Sequence, residues 1–274
     1  MTESSDCETR LREIGAADGA QMPLAEAALL LASLDHPGRE IGPYLRHLDE
    51  LASGLTDRQV SCAADRGDAL STVIHIEHGY GGDRDSYDDM INANLMSVID
   101  RRRGLPVALA ILYIETARRA GWKAWGLDFP GHFVLRLDGE GDRVILDPFH
   151  AGVTVEPPAL RQLLKTYVGP DAELEPKYYE PMSDRSILLR LLNNIRGRAL
   201  QGGNQARGLQ IMQRMLLIAP ADARLWLESA AIQAKSGQLK GAREALETCL
   251  GLEPEAAIQR QAAKLMETLR RDLN

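Results

Sequence analysis

The chain has 274 residues, 45% of them hydrophobic and 26% charged, a composition that suits a globular protein with one large core or two modest ones. Its formal net charge of -7 disfavours nucleic-acid binding, because that binding depends on clustered Lys and Arg side chains. The basic run at 101–103 is too short to reverse this balance, and we interpret it as a solvated helix end or loop.

Cysteine use and hydropathy indicate the compartment. Cys7, Cys62 and Cys249 are far apart and form no C-x-x-C pair, which favours a reducing environment. The first twenty residues are polar and acidic, without the apolar stretch of a secretory signal. No apolar run reaches the roughly 18 residues that would span a bilayer. We therefore expect a cytoplasmic protein without a membrane or nucleic-acid partner.

The opening third of the chain is predicted to be helical after a frayed start. Helices are expected over about 23–34 and 43–53, where alanine and leucine recur at helical spacing, and over about 57–77. The last of these carries His75 and His78, whose spacing can bind a metal ion. Because no third ligand is evident and the order differs from the zinc-protease motif, a solvated helix end is the preferred interpretation.

The middle of the chain is predicted to be α+β. A segment that begins after Gly104 is apolar on every side, which indicates a central helix buried all round. Basic residues and then Gly121 follow it and suit a helix C-terminus. Short apolar runs at 123–127, 132–137 and 143–146, separated by turn residues, are interpreted as antiparallel strands.

Residues from about 183 onward follow a helical pattern with a 34-residue internal period. Three pairs recur at this offset: Gly203 and Gly237, Leu216 and Leu250, Pro220 and Pro254. A glycine between paired helices and a proline that closes each pair are typical of tetratricopeptide repeats. Repeat helices are expected over about 187–201, 205–218, 223–235 and 239–250, with a capping helix over 256–271. Since two repeats are few for independent stability, the array should depend on the middle domain.

Three motifs between Tyr87 and Gly152 carry a more specific signal: Gly104-Leu105-Pro106, Pro130-Gly131-His132-Phe133 and Leu146-Asp147-Pro148. With them the chain resembles the transglutaminase-like superfamily, and in particular its bacterial SirB-type branch, in which such a domain precedes tetratricopeptide repeats. The resemblance implies a papain-like α+β domain over 1–181, with a helical part at about 23–100 and a core motif at about 94–152. An all-α array over 182–274 would follow it.

Catalytic members of that superfamily place a cysteine at the start of the central helix, a histidine at the start of a strand and an aspartate at the end of the next. A helix N-terminus lowers the pKa of the thiol, the histidine acts as base, and the carboxylate orients the imidazole. The resemblance assigns the last two roles to His132 and Asp147, which lie 15 residues apart. A structural role for this pair fits the same pattern.

Proline occupies the position of the nucleophile. Pro106 suits the first helical turn but has no atom that can attack a carbonyl group. No serine or threonine lies in that turn, and no cysteine is placed by the sequence near His132, so thiol catalysis is predicted to be absent. The further residues expected to line the remnant site are Asn92, Asn94, Gly104, Phe133 and His150, of which the two asparagines are expected to cap or bridge loops.

Three functions remain open, and none implies a cofactor or a resident metal. The first is a non-catalytic, regulatory or scaffolding protein that binds a protein or peptide through residues 183–274. The second is an enzyme that uses His132 and Asp147 in amide or ester hydrolysis or acyl transfer, with water or a substrate thiol as nucleophile. The enzyme requires a hydrogen-bonded pair that opens onto a cleft at the start of the central helix, whereas a buried pair favours the scaffold. The third is a purely structural subunit, which would carry no exposed apolar or charged patch in the groove of its array.

Overall fold

The computed structural model describes residues 2–272 except 18, 20, 57 and 59, and the fold is α+β as predicted. The chain forms two compact units. The first is made of the described residues of Met1–Cys7 and Gly19–Leu191, the second of those of Glu8–Asp18 and Leu192–Asn274. The division thus lies ten residues after the predicted boundary at 181, and a segment near the N-terminus joins the second unit. No helix among the described residues is long and apolar enough to cross a membrane.

The first unit is built around one buried helix. Its complete helices are α2 (Leu24–Ser33), α3 (Gly42–Thr56), α4 (Ala63–Ser71), α5 (Leu95–Arg101), α6 (Pro106–Arg119) and α7 (Pro157–Tyr167). Every side chain of α6 from Pro106 to Ile114 is buried, and the helix packs against α2, α3 and the sheet. The predicted central helix is therefore confirmed, since a helix that is apolar all round has no face to present to water.

Two helical expectations differ from the structure. Residues expected to be frayed form helix α1 (Thr2–Ala16), in which Leu11 is completely buried. The third predicted helix begins as α4 at Ala63 and continues as a π-helix over Thr72–Glu77. Its expected start, Asp57, lies outside the described residues. A π-helix is rare and often marks a functional site.

An antiparallel sheet lies on one side of α6. It has the order β3-β4-β5-β6, with β3 at Lys123–Gly126, β4 at Leu135–Asp138, β5 at Arg143–Asp147 and β6 at Val153–Thr154. The predicted strand start at His132 is wrong, because β4 begins three residues later and His132 lies in the turn before it. That turn contains Gly131 at φ 72°, a left-handed conformation that interrupts the strand. A second, parallel pair joins β1 (Gly81–Gly82) to β2 (Arg103–Gly104).

The second unit contains the predicted helical repeats. They are the end of α8 (Asp184–Gln201), α9 (Gln205–Ile218), α10 (Ala223–Lys235), α11 (Leu239–Gly251) and α12 (Ala256–Asp272), and the predicted helix bounds agree with these to within three residues. Gly203 and Gly237 adopt φ values of 75° and 74° in equivalent turns, which explains their recurrence. Small buried side chains such as Ala230 and Ala242 let α10 and α11 approach closely.

Residues 183–274 expressed alone are expected to fold poorly. The fragment lacks the N-terminal segment of its own unit, in which Leu11 is 0% and Ile14 4% exposed. Thermal unfolding followed by circular dichroism checks this, and the matched control is residues 1–18 joined to 183–274 by a flexible linker. The linked chain should regain a cooperative transition, whereas a cooperative transition from the shorter fragment would contradict the expectation.

Candidate functional site

His132 and Asp147, which the sequence predicts to form a pair, are in direct contact. Nε2 of His132 lies 2.8 Å from Oδ2 of Asp147, and the residues are only 6% and 4% exposed. Asp147 is the last residue of β5, and the turn that carries His132 leads into β4, whose Leu135 is paired with Leu146 of β5. The sheet register therefore brings the imidazole and the carboxylate together across one hairpin.

The carboxylate of Asp147 is held on both oxygens. Oδ2 also lies 2.7 Å from Nδ1 of His150, while Oδ1 accepts the backbone N–H groups of Phe149 and His150 at 3.0 and 3.2 Å. Burial alone would raise the pKa of Asp147, but the hydrogen bonds and positive charge of His132 and His150 together hold that pKa below its usual value. Asp147 is therefore ionised near neutral pH, and both histidines donate to it.

The ring of His132 is fixed by its neighbours. Tyr167 of α7 stacks on it with ring centroids 6.4 Å apart and an interplanar angle of 12°. Arg190 of α8 donates to the backbone oxygens of His132 and Phe129, at 2.9 and 3.0 Å, and its guanidinium lies over the ring of Phe133. The ring of Phe133 therefore packs against Arg190 and supports the turn. Arg190 was missed by the sequence analysis because nothing in its local sequence links it to a turn some 60 residues earlier.

Backbone hydrogen bonds connect the start of the central helix to the turn that follows Asp147. Pro106 is the first residue of α6, as expected for a proline at a helix N-terminus. The strand before it pairs Gly104 with Gly82, and the N–H of Gly82 donates to the backbone oxygen of Phe149 at 3.1 Å. Gly82 has no room for a side chain because the ring of Phe149 lies against it. A short ladder of backbone bonds therefore joins the strand that leads into Pro106 to the turn after Asp147.

Asn92 and Asn94 each form hydrogen bonds that stabilise the local structure. Asn94 caps α5, since its side-chain oxygen accepts the N–H of Ser97 at 3.1 Å. Asn92 is fully buried, donates to the backbone oxygen of Ser86 at 2.6 Å and accepts from Arg101 at 2.8 Å. Arg101 also pairs with Asp83 at 2.6 Å, so this part of the basic run is a structural contact rather than a solvated end.

His75, in the π-helix, and His78, directly after it, do not share a site. Nδ1 of His75 lies 2.7 Å from the backbone oxygen of Tyr80, whereas the ring of His78 packs edge-on against His47, with centroids 5.6 Å apart. Among the described residues, the group of three or more potential metal ligands that converge on one point is His132, Asp147 and His150. The sequence analysis placed His150 near the site but had no means to predict its bond to the carboxylate.

Acidification is expected to weaken the contacts of His47. Burial is the main cause that lowers its pKa; Arg102 and His78 lower it further, and Glu50 opposes them. Its Nε2 lies 2.8 Å from the hydroxyl of Tyr80. Because the folded pKa lies below the unfolded value of about 6.5, this contribution to stability is present above that pH and is lost as the pH falls toward the folded pKa.

The measurement is urea unfolding of the wild type and of His47→Gln between about pH 7.5 and 5. The wild type should lose more unfolding free energy than the variant over this interval. Equal losses in the two proteins would show that His47 does not couple folding to protonation.

The three residues of the site differ in their exposure to solvent. The side chain of His150 is 44% exposed, whereas those of His132 and Asp147 are 6% and 5% exposed. The linings of four cavities among the described residues contain none of these three. One of them, of about 680 Å³, belongs to the helical-repeat unit.

Comparison with known proteins gives the class that this fold and site define. A model of the transglutaminase-like superfamily matches residues 42–193, and a tetratricopeptide-repeat model matches residues 195–269. The chain therefore belongs to the transglutaminase-like superfamily and has the SirB-type arrangement of such a domain followed by helical repeats.

Individual relatives agree with this arrangement. A UPF0162 protein of Pseudomonas aeruginosa is 35% identical over 210 residues, which cover 74% of this chain and 76% of the relative. One from Xylella fastidiosa is 28% identical over 86% of both chains, and the SirB1 protein of Salmonella typhimurium is 23% identical over 73% of this chain and 75% of its own. No solved structure matches.

Proposed function

We propose that this chain is a non-catalytic transglutaminase-like protein with a regulatory or scaffolding role, which binds a protein or peptide through its helical repeats in the bacterial cytoplasm. The observation that carries the proposal is Pro106 at the first position of α6, the position at which the resemblance puts the cysteine of catalytic members. The burial of His132 supports it, because an imidazole 6% exposed has little access to a large substrate.

The repeat unit offers the surface that such a protein needs. Its cavity of about 680 Å³ is lined by α1, α9, α10 and α11. The lining combines apolar surface, as at Leu216 and Trp226, with the polar side chains of Gln213, Gln233 and Glu244. A concave surface of this mixed character suits a peptide that supplies both apolar side chains and hydrogen-bonding groups.

Two charge reversals on α11 test whether the cavity of about 680 Å³, here called the groove, is the binding surface. Glu244 lines the cavity and Glu247 does not, yet both are exposed and each lies beside a basic residue one turn away. Proteins captured by the full chain and identified by mass spectrometry should be lost with Glu244→Arg and kept with Glu247→Arg. If both variants capture the same proteins as the wild type, the groove is not the binding surface.

The second candidate is hydrolysis of amide or ester bonds without a cysteine. The 2.8 Å contact between His132 and Asp147 favours it, because this is the geometry that a general base requires. Turnover of activated esters and amides by the full chain, abolished by His132→Gln, would establish this function. Rates no greater than those of His132→Gln would exclude it for these substrates.

The variant Pro106→Cys is expected to place a thiol with a lowered pKa at the start of α6. Helix N-terminal N–H groups favour the thiolate, which should bring its pKa below the value of about 8.5 of free cysteine. The pH dependence of iodoacetamide alkylation at residue 106, followed by peptide mass mapping, measures this. The natural Cys62 lies at the N-terminus of α4, so its alkylation in the same sample is the internal reference for a thiol at a helix N-terminus. A rate profile at 106 like that of free cysteine would mean that this position is not equivalent to the nucleophile of the superfamily.

A further inference from the structure

We propose that His132, Asp147 and His150 form a binding site for a divalent transition-metal ion, with Zn²⁺ as the best match. One ligand atom from each residue lies within 4.8 Å of the others. The two ring nitrogens lie 2.8 and 2.7 Å from the same carboxylate oxygen, Oδ2 of Asp147. Two imidazoles and one carboxylate are the donor set that zinc and its first-row neighbours prefer. This site does not depend on the groove proposed above.

The ligands are already oriented. The backbone N–H groups of Phe149 and His150 hold Oδ1 of Asp147, which leaves Oδ2 pointing at both rings. Tyr167 stacks on the ring of His132, and Arg190 fixes the backbone of the same residue. Such outer-shell contacts set the direction of metal ligands and reduce the reorganisation that binding requires.

Metal binding replaces the two hydrogen bonds without leaving a charge unpaired. An ionised carboxylate accepts only, so without a metal both facing nitrogens carry their protons. Metal binding requires each ring in its neutral form with its proton on the nitrogen that faces away, so that a lone pair points toward the carboxylate, where the ion would lie. Two neutral imidazoles and one carboxylate then supply a single negative charge to a divalent cation.

The site has an access route and an open position. The side chain of His150 is 44% exposed, so an ion from solvent reaches the cluster past it. Three protein ligands leave at least one coordination position of zinc for water or for an oxygen atom of a bound molecule. His150 distinguishes this proposal from a remnant catalytic pair, because a remnant needs only His132 and Asp147.

Zinc titration of the metal-free full chain by isothermal calorimetry, near neutral pH, tests the proposal. We expect one Zn²⁺ per chain, and His150→Ala should weaken the affinity by at least about 100-fold, because removing a ligand should cost no less than removing an outer-shell partner. His75→Ala is the matched control, since His75 is also exposed and belongs to the other histidine pair. It should bind zinc as the wild type does.

A second variant shows whether a loss of zinc binding comes from misfolding or from the missing ligand. His150→Gln keeps a polar side chain in the turn, and its urea unfolding curve reports whether the fold is retained. Zinc binding lost in a folded His150→Gln protein supports the site. Absence of stoichiometric binding by the wild type, unchanged affinity in the His150 variants, or loss in His75→Ala would overturn it, and the cluster would then be a hydrogen-bonded triad only.

Discussion

Gly15→Ala is expected to destabilise the second unit by about 1–3 kcal/mol, the usual cost of overpacking. In an ordinary helix interior the same change stabilises by about 0.5–1 kcal/mol, because alanine loses less backbone entropy than glycine. Here a Cβ on Gly15 would overlap the backbone oxygen of Leu217 in α9. Leu217 lies in the last turn of α9, and a backbone carbonyl there cannot move away as a flexible side chain can, so the backbone of α1 or of α9 would have to shift.

Gly197→Ala supplies the matched control. Gly197 lies inside α8, and no atom of another element lies within 4 Å of the place where its Cβ would be. This variant should gain about 0.5–1 kcal/mol. Urea unfolding followed by the fluorescence of Trp226, with Trp122 and Trp125 replaced by phenylalanine, isolates the second unit because the chain has three tryptophans. Stabilisation by both substitutions would mean that α1 does not pack on α9.

Asp147→Ala is expected to lower the unfolding free energy of the first unit by about 3–5 kcal/mol, as is typical when one partner of a buried ion pair is removed. The side chain is 5% exposed and accepts four hydrogen bonds. Its loss leaves the N–H groups of Phe149 and His150 without their acceptor, together with the buried ring of His132. The fluorescence of Trp122 and Trp125, in a Trp226→Phe background, follows the unfolding of this unit.

The control for this prediction is Asp128→Ala. The side chain of Asp128 is 78% exposed and lies 3.5 Å from Arg190, so it forms an ion pair at the surface. Such pairs contribute about 0–1 kcal/mol, and the variant should remain within that range of the wild type. If Asp147→Ala cost no more than Asp128→Ala, the carboxylate would not be the organising element of the site.

The candidate site was partly predictable. His132 and Asp147 follow from motifs, and the structure places them in contact across one hairpin. The strand assigned to His132 was wrong, because the left-handed turn at Gly131 delays the start of β4. His150 was expected to line the site, but its bond to the carboxylate and the supporting role of Arg190 required coordinates, since they depend on side-chain direction and on α8 meeting the turn.

The sequence by itself determined the helical repeats and the buried central helix. Both follow from local information: hydrophobic periodicity, the repeated glycines at 203 and 237, and an apolar run with no polar face. Only the tertiary structure decided that α1 is a helix and that most of it belongs with the repeats. Few apolar residues mark this polar segment, and what stabilises it is the burial of Leu11 and Ile14 in the unit that they share with the repeats. Local propensity cannot report a contact whose partner lies some two hundred residues away.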